Sequence, residues 1–171
     1  MKSIQSTPMA EKVALIKDAV ELVSAYPRVP LTVDCVIFGF DDNKLKVLLI
    51  KSDLQVYQGK YSLLGDVVND TEELDDAAYR VLRERTGMNN VYLKQVRAFS
   101  APDRHPGGRV VTVAYCSLLN IRDHELKIKD NDLHWHSLKG LRDMAFDHKL
   151  ILDSCYKWLQ KNVQEHPLGF N

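Results

Sequence analysis

"LLGDVVNDTEELDDAAYRVLRERTGM", residues 63–88, decides the fold. "YSLLGDVV" (61–68) reads as a short extended segment that leads into a helix. Leu74, Ala77, Ala78, Val81 and Leu82 then recur at helical spacing and make one apolar stripe. Asp70 is placed to cap that helix, and Glu73 three residues on completes an Asp version of the capping box. Glu72, Glu73, Asp75 and Asp76 crowd the expected first turn, where the helix dipole favours negative charge. Gly87 ends the helix, because glycine takes the left-handed C-terminal position at little cost.

Upstream, "LTVDCVIFGF" (31–40), the turn "DDNK" and "LKVLLIK" (45–51) read as a β-hairpin, followed by a loop over 52–60. Val13, Ile16, Val20 and Val23, with Leu15, Ala19 and Leu22 beside them, predict an amphipathic helix over 10–25 that Pro27 and Pro30 stop. That helix has two possible partners, the domain's own sheet or a second subunit. Downstream, "VYLKQVRAFSA" (91–101) and "RVVTVAYCSLL" (109–119) read as strands around the turn-rich loop "PDRHPGG". "DLHWHSL" (132–138) reads as another strand, and "FDHKLILDSCYKWLQKNVQEH" as a final helix carrying Leu152, Cys155, Leu159 and Val163. Helices that interrupt a mixed or antiparallel sheet give an α/β (α+β) sandwich and not a doubly wound parallel sheet.

Composition narrows the class. The chain has 171 residues, 45% hydrophobic and 27% charged, enough for one globular domain with a core. Lys plus Arg (23) balances Asp plus Glu (23), so there is no general basic surface for DNA or an anionic membrane. Cys35, Cys116 and Cys155 are dispersed and odd in number, which argues against structural zinc and a disulfide framework. No apolar run reaches the ~18 residues a spanning helix needs, and charges break the N-terminal stretch, so the cytoplasm is the expected location.

The helix region resembles the Nudix signature, whose frame it fits without a gap. Asp66 stands at the first Gly of the signature, Glu72 at its isolated Glu and Arg80 at its Arg. Val81 stands at the Glu that follows, Glu84 and Arg85 at the Glu pair, and Gly87 and Met88 at the close. The resemblance implies an α/β/α sandwich with a mixed central sheet and, in hydrolases, magnesium held by that helix. Positions 81, 84 and 85 lie on adjoining helix faces. Carboxylates there would form a hard oxygen site for magnesium. This chain keeps only Glu84 of that cluster, with Val81 apolar and Arg85 positive. Glu72, Arg80 and Glu84 are therefore read as a residual box without catalytic or metal residues. Taken as a surface pair, Arg80 and Glu84 are worth only ~0.3–0.5 kcal/mol.

A second resemblance covers about residues 30–171. "LTVDCVIFGFDDNKLKVLLIK", "LDDAAYRVLRERTG", "YLKQVRAFSAPDRHPGGRVVTVAY" and "FDHKLIL" are similar to the Nudix-related transcriptional regulators of bacterial NAD or pentose metabolism. It implies an N-terminal helix and linker (1–30), a Nudix-like domain (31–165) and, from 166 to 171, the start of a linker. A winged helix-turn-helix domain would follow outside this chain. The implied protein is a homodimer that touches DNA only through that domain. It senses a pentose, a sugar phosphate or another sugar metabolite, or, as the second choice, ADP-ribose. The tail "PLGFN" carries Leu168 and Phe170 and reads either as a frayed or docked terminus or as that linker.

The expected ligand-binding residues are Tyr61, Asp66, Arg85, Asp103, Arg104 and Arg109. Two Arg beside a Gly-Gly turn suit phosphate or sugar hydroxyls bidentately. Phe38, Phe40, Tyr61 and Tyr115 read as core or pocket lining. His134 and His136 share a strand face without a third metal ligand, leaving Trp135 to point inward. Asp147 reads as the cap of the last helix. No cofactor is expected for a sensing domain. The alternative is a magnesium-dependent Nudix hydrolase of nucleoside diphosphate-linked substrates, in which Asp66, Glu72 and Glu84 assemble an altered metal site.

Overall fold

The computed structural model describes residues 8–42, 44–126 and 132–165; the tail with Leu168 and Phe170 lies outside the described residues. Three helices, α1 (Met9–Ser24), α2 (Leu74–Thr86) and α3 (His148–Glu165), accompany seven strands. The strands are β1 (Leu31–Asp41), β2 (Lys44–Lys51), β3 (Tyr61–Ser62), β4 (Leu64–Val67), β5 (Lys94–Phe99), β6 (Val111–Asn120) and β7 (Leu133–Ser137).

β1 is the spine of one mixed sheet. One edge pairs in parallel with β6 from Leu31↔Val111 to Phe40↔Asn120. The other edge changes partner midway: Thr32–Cys35 pair with β4, and Phe38–Asp41 with β2 in the predicted hairpin. β2 also carries β7 and β3, and β6 carries β5. The place where β1 changes partner opens a cleft beside β4.

Alternation along β1 feeds two cores, one on each face of the sheet. Val33, Cys35 and Ile37 pack with Ala77, Ala78, Val81 and Leu82 of α2. Val36 and Phe38 pack with Ile151, Leu152, Cys155 and Leu159 of α3. This is the expected α/β/α sandwich with a mixed central sheet. Val81 is 1% exposed. Burying such a side chain contributes about 1.5–3 kcal/mol, so position 81 belongs to the core. Tyr115 ties α2 to the sheet by donating its hydroxyl to Asp75 Oδ1 at 2.5 Å.

Gly87 closes α2 as expected, with φ 73° and its N–H on the Arg83 carbonyl at 2.8 Å. The start of α2 differs from expectation. Its N-cap is Glu73, in extended backbone and without a side-chain cap bond; Asp70 lies outside the helix. The reason is Glu72. Its carboxylate accepts from the Asn69 N–H at 3.0 Å, closing a turn that delays helix entry to Leu74. Phe40 is also corrected: it is 47% exposed near the hairpin end, whereas Phe38 and Tyr115 are core.

α1 forms where periodicity predicts it, yet none of its residues is buried. Among the described residues no helix is long and apolar enough to cross a membrane. Trp135 does point inward: a Cβ on Gly39 would lie 2.5 Å from its Cζ3, so glycine lets the ring cross β1.

Candidate functional site

At the cleft's α2 side, Arg80 gathers the box carboxylates. Its Nε donates to Glu72 Oε1 at 2.5 Å and its Nη2 to Glu72 Oε2 at 3.0 Å. Nη2 also reaches the Val67 carbonyl at 2.8 Å, while Nη1 reaches Glu84 at 3.3 Å and Asp66 at 3.5 Å. The pairing is therefore more than a surface contact between Arg80 and Glu84: three carboxylates and a carbonyl share one guanidinium. The Arg80 hydrogen bonds, with the Asn69 N–H behind them, hold the Glu72 carboxyl down to about 2. The same pairing pushes Arg80 upward, so it stays charged. Among the described residues no group of three His, Cys, Asp or Glu is arranged to hold a metal ion.

The cleft holds about 510 Å³. Gly65, Asp66 and Val67 of β4 form one wall, and Lys51 to Leu54, where β2 runs into its loop, form another. Arg85 reaches it from the last turn of α2, Arg104 and His105 from the loop before β6, and Phe146 and His148 from the start of α3.

Its floor is a buried polar network. Asp34 is an acid in the apolar middle of β1 and alternates to the α3 side with Val36 and Phe38. Thr112 donates to Asp34 Oδ2 at 2.7 Å, and Arg104 Nη2 stands 3.8 Å from the same oxygen. Arg104 is held bidentately by Asp147, at 2.9 Å and 2.7 Å. A Cβ on Gly65, the register partner of Asp34, would overlap the Asp34 carboxylate. Only glycine lets β4 pass this close.

His148 completes the floor. The Leu63 N–H donates to its Nδ1 at 3.0 Å, and Ser62 Oγ lies 3.1 Å away. A backbone N–H can only donate, so Nδ1 is the acceptor and the ring proton sits on Nε2. That nitrogen faces Asp34 Oδ1 at 3.5 Å. Burial lowers the His148 pKa against the opposing pull of Asp34 and Asp147, which keeps the neutral ring.

Phe146 lies in left-handed backbone at φ 53°, a strained position for a bulky residue. Its ring stacks on His105 at 5.1 Å and meets Tyr57 at 4.5 Å. Strain of this kind costs about 1–3 kcal/mol and persists where surrounding contacts fix it.

Of the six expected ligand-binding residues, Asp66, Arg85 and Arg104 line the cleft. Tyr61, Asp103 and Arg109 are not in its lining. Tyr61 is half-buried against the His136 ring at 4.2 Å, in the α3-side core. Asp103 and Arg109 are exposed. Asp147 does stand before α3, its carbonyl accepting from the Ile151 N–H, but its carboxylate is spent on Arg104. His134 and His136 share a face with ring centroids 6.3 Å apart. Burial, then His134, lowers the His136 pKa. Sequence reading missed Asp34, Thr112, Phe146 and the floor role of His148. The signal for Asp34 was present, an acid inside "LTVDCVIF", since buried acids are rare without a partner.

Residues 28–159 match the NUDIX domain family. The ADPR responsive transcriptional repressor NtrR of Acinetobacter baylyi is 32% identical over 146 residues, 82% of this chain. The chain spans 58% of that repressor's length. The ADP-ribose pyrophosphatase of Methanocaldococcus jannaschii is 30% identical over 122 residues, 70% of this chain and 71% of that protein. The NUDIX domain of Shewanella oneidensis NrtR, solved as a cocrystal with ADP ribose, aligns with a TM-score of 0.70 at 28% identity. That alignment covers 83% of this chain and 98% of the domain. On the family match and the similarity to the repressor, this chain belongs to the NUDIX domain family.

Proposed function

We propose that this chain is the effector-sensing domain of a transcriptional regulator, that its effector is ADP-ribose or a close relative, and that it binds this ligand without hydrolysing it. The observation that carries the reading is the state of the Nudix box. Magnesium is a hard cation that seeks oxygen donors. Here Asp66, Glu72 and Glu84 all face Arg80, Val81 is buried in the core, and Arg85 is positive. These residues do not fit a magnesium ion, so no step is routed through one. The named ligands of the relatives support ADP-ribose over the pentoses and sugar phosphates that sequence reading placed first. DNA contact and dimer formation belong in this reading to the whole regulator in the cytoplasm, with its DNA-binding domain outside this chain.

A thermal-shift panel of ADP-ribose, pentoses and sugar phosphates tests the reading. ADP-ribose is expected to raise the melting temperature most, with no AMP or ribose phosphate released on incubation with magnesium. No stabilisation by any of them overturns effector sensing.

The similarity to an ADP-ribose pyrophosphatase favours a second reading, a hydrolase with an altered site. Magnesium-dependent turnover of ADP-ribose that disappears in Glu84→Gln would establish it in place of the first.

A further inference from the structure

A diphosphate in this cleft needs a positive partner, and the cleft's charges are unequally committed. Arg104 is buried, with Asp147 and Asp34 on its guanidinium. Lys51 stands 3.6 Å from Asp132. Asp66, another lining acid, faces Arg80 at 3.5 Å. Arg85 is different. It is exposed, lines the cleft beside β4, and among the described residues no carboxylate pairs with it. Its helical neighbour Glu84 turns to Arg80 instead. Among the described residues Asp53 is the lining acid without a cation, and it belongs to the loop after β2.

We infer that Arg85 is the anion anchor of this cleft, so that it takes up the diphosphate of its ligand with a guanidinium and without a divalent cation. The inference rests on the reading of the chain as a sensor of an ADP-ribose-like ligand. It adds the charge that recognises the diphosphate and the independence from metal. The chemistry suits the group: a guanidinium is planar, always charged and matches phosphate oxygens bidentately. Its place in the last turn of α2 lets the helix dipole stabilise it there. The dipole also explains a basic residue in that turn without any ligand, and Arg83 supplies the control. Arg83 occupies the same last turn and does not line the cleft.

Calorimetric titration with ADP-ribose, in EDTA and again in excess magnesium, tests this on the wild type, Arg85→Ala, Arg85→Glu and Arg83→Ala. The expected wild-type affinity is the same in both buffers within about twofold. A charged hydrogen-bonding partner lost to solvent predicts roughly tenfold or greater weakening in Arg85→Ala and still more in Arg85→Glu. Arg83→Ala should bind as the wild type does. Adenosine, which lacks the diphosphate, should bind wild type and Arg85→Ala alike. Unfolding curves confirm that each variant folds.

Wild-type binding that requires magnesium overturns the anchor and leaves the sensing role standing. Arg85→Ala binding as tightly as wild type does the same. An equal loss in Arg85→Ala and Arg83→Ala reduces the effect to general surface charge and likewise overturns it. No wild-type binding of ADP-ribose in either buffer removes the ligand assignment, and the anchor falls with it.

Discussion

Two arginines organise the two sides of the cleft, and they do so in opposite surroundings. Arg80 gathers Asp66, Glu72 and Glu84 with its side chain 16% exposed, and the last two named partners stand at 16% and 56%. Arg104 holds Asp34 and Asp147 with its side chain 3% exposed. The first arrangement sits at the water's edge, where a freed carboxylate is rehydrated. The second sits under the cleft, where Asp34, 7% exposed, stays out of water once freed, while Asp147 stands at 17%. Similar chemistry thus has different energetic weight, and the difference lies in solvent access more than in the number of contacts.

The largest test of that contrast is Arg104→Ala. It leaves Asp34 and Asp147 facing each other's charge without a cation. Breaking a buried pair in this way costs about 3–5 kcal/mol, read as a lowered urea midpoint. Arg80→Ala should lose clearly less, and equal losses would break the comparison. Gly65→Ala attacks the floor from β4, since its Cβ would overlap the Asp34 carboxylate. Overpacking of this kind costs about 1–3 kcal/mol, and a neutral result would mean that β4 has room to move away. The smallest effect is the pH response of the Arg80 side. The Glu72 carboxyl is held at about 2 against an ordinary 4.5. A lowered folded value stabilises the fold above the unfolded pKa, and that stability is lost as pH falls through the folded one. The wild type should therefore lose this contribution between about pH 4.5 and 2, and Glu72→Gln should lack that part of the acid limb. Superimposable acid limbs in chemical denaturation would remove Glu72 from the account.

The same contrast explains what could be read from the sequence. The Arg80 side is local: its parts lie between residues 66 and 84, at spacings that helix geometry and the Nudix frame both encode. The sandwich, the hairpin, the Gly87 stop and the core position of Val81 were legible for the same reason. Sequence reading went astray at the entry to α2, where Glu72 closes a turn with Asn69 and the helix starts beyond Asp70. The floor is not local. Asp34, Arg104, Thr112 and Asp147 meet only because β1 pairs with β6 while the start of α3 returns to Ser62 and Leu63 at the end of β3, and no spacing along the chain encodes this. Arg104, singled out from its loop as a ligand-binding residue, lines the cleft, and its bidentate face is held by Asp147, a partner that no spacing announces.

The left-handed backbone at Phe146 makes "FDH" (146–148) an indivisible unit. Its three consecutive side chains are delivered to three separate places: Phe146 to His105, Asp147 to Arg104 and His148 to Leu63 beside Asp34. A single residue inserted or deleted at this point would misdirect all three together. Loop 101–110 and the first turn of α3 are thus indexed to each other like two cogs, and neither can slip by one residue without disengaging from the cleft.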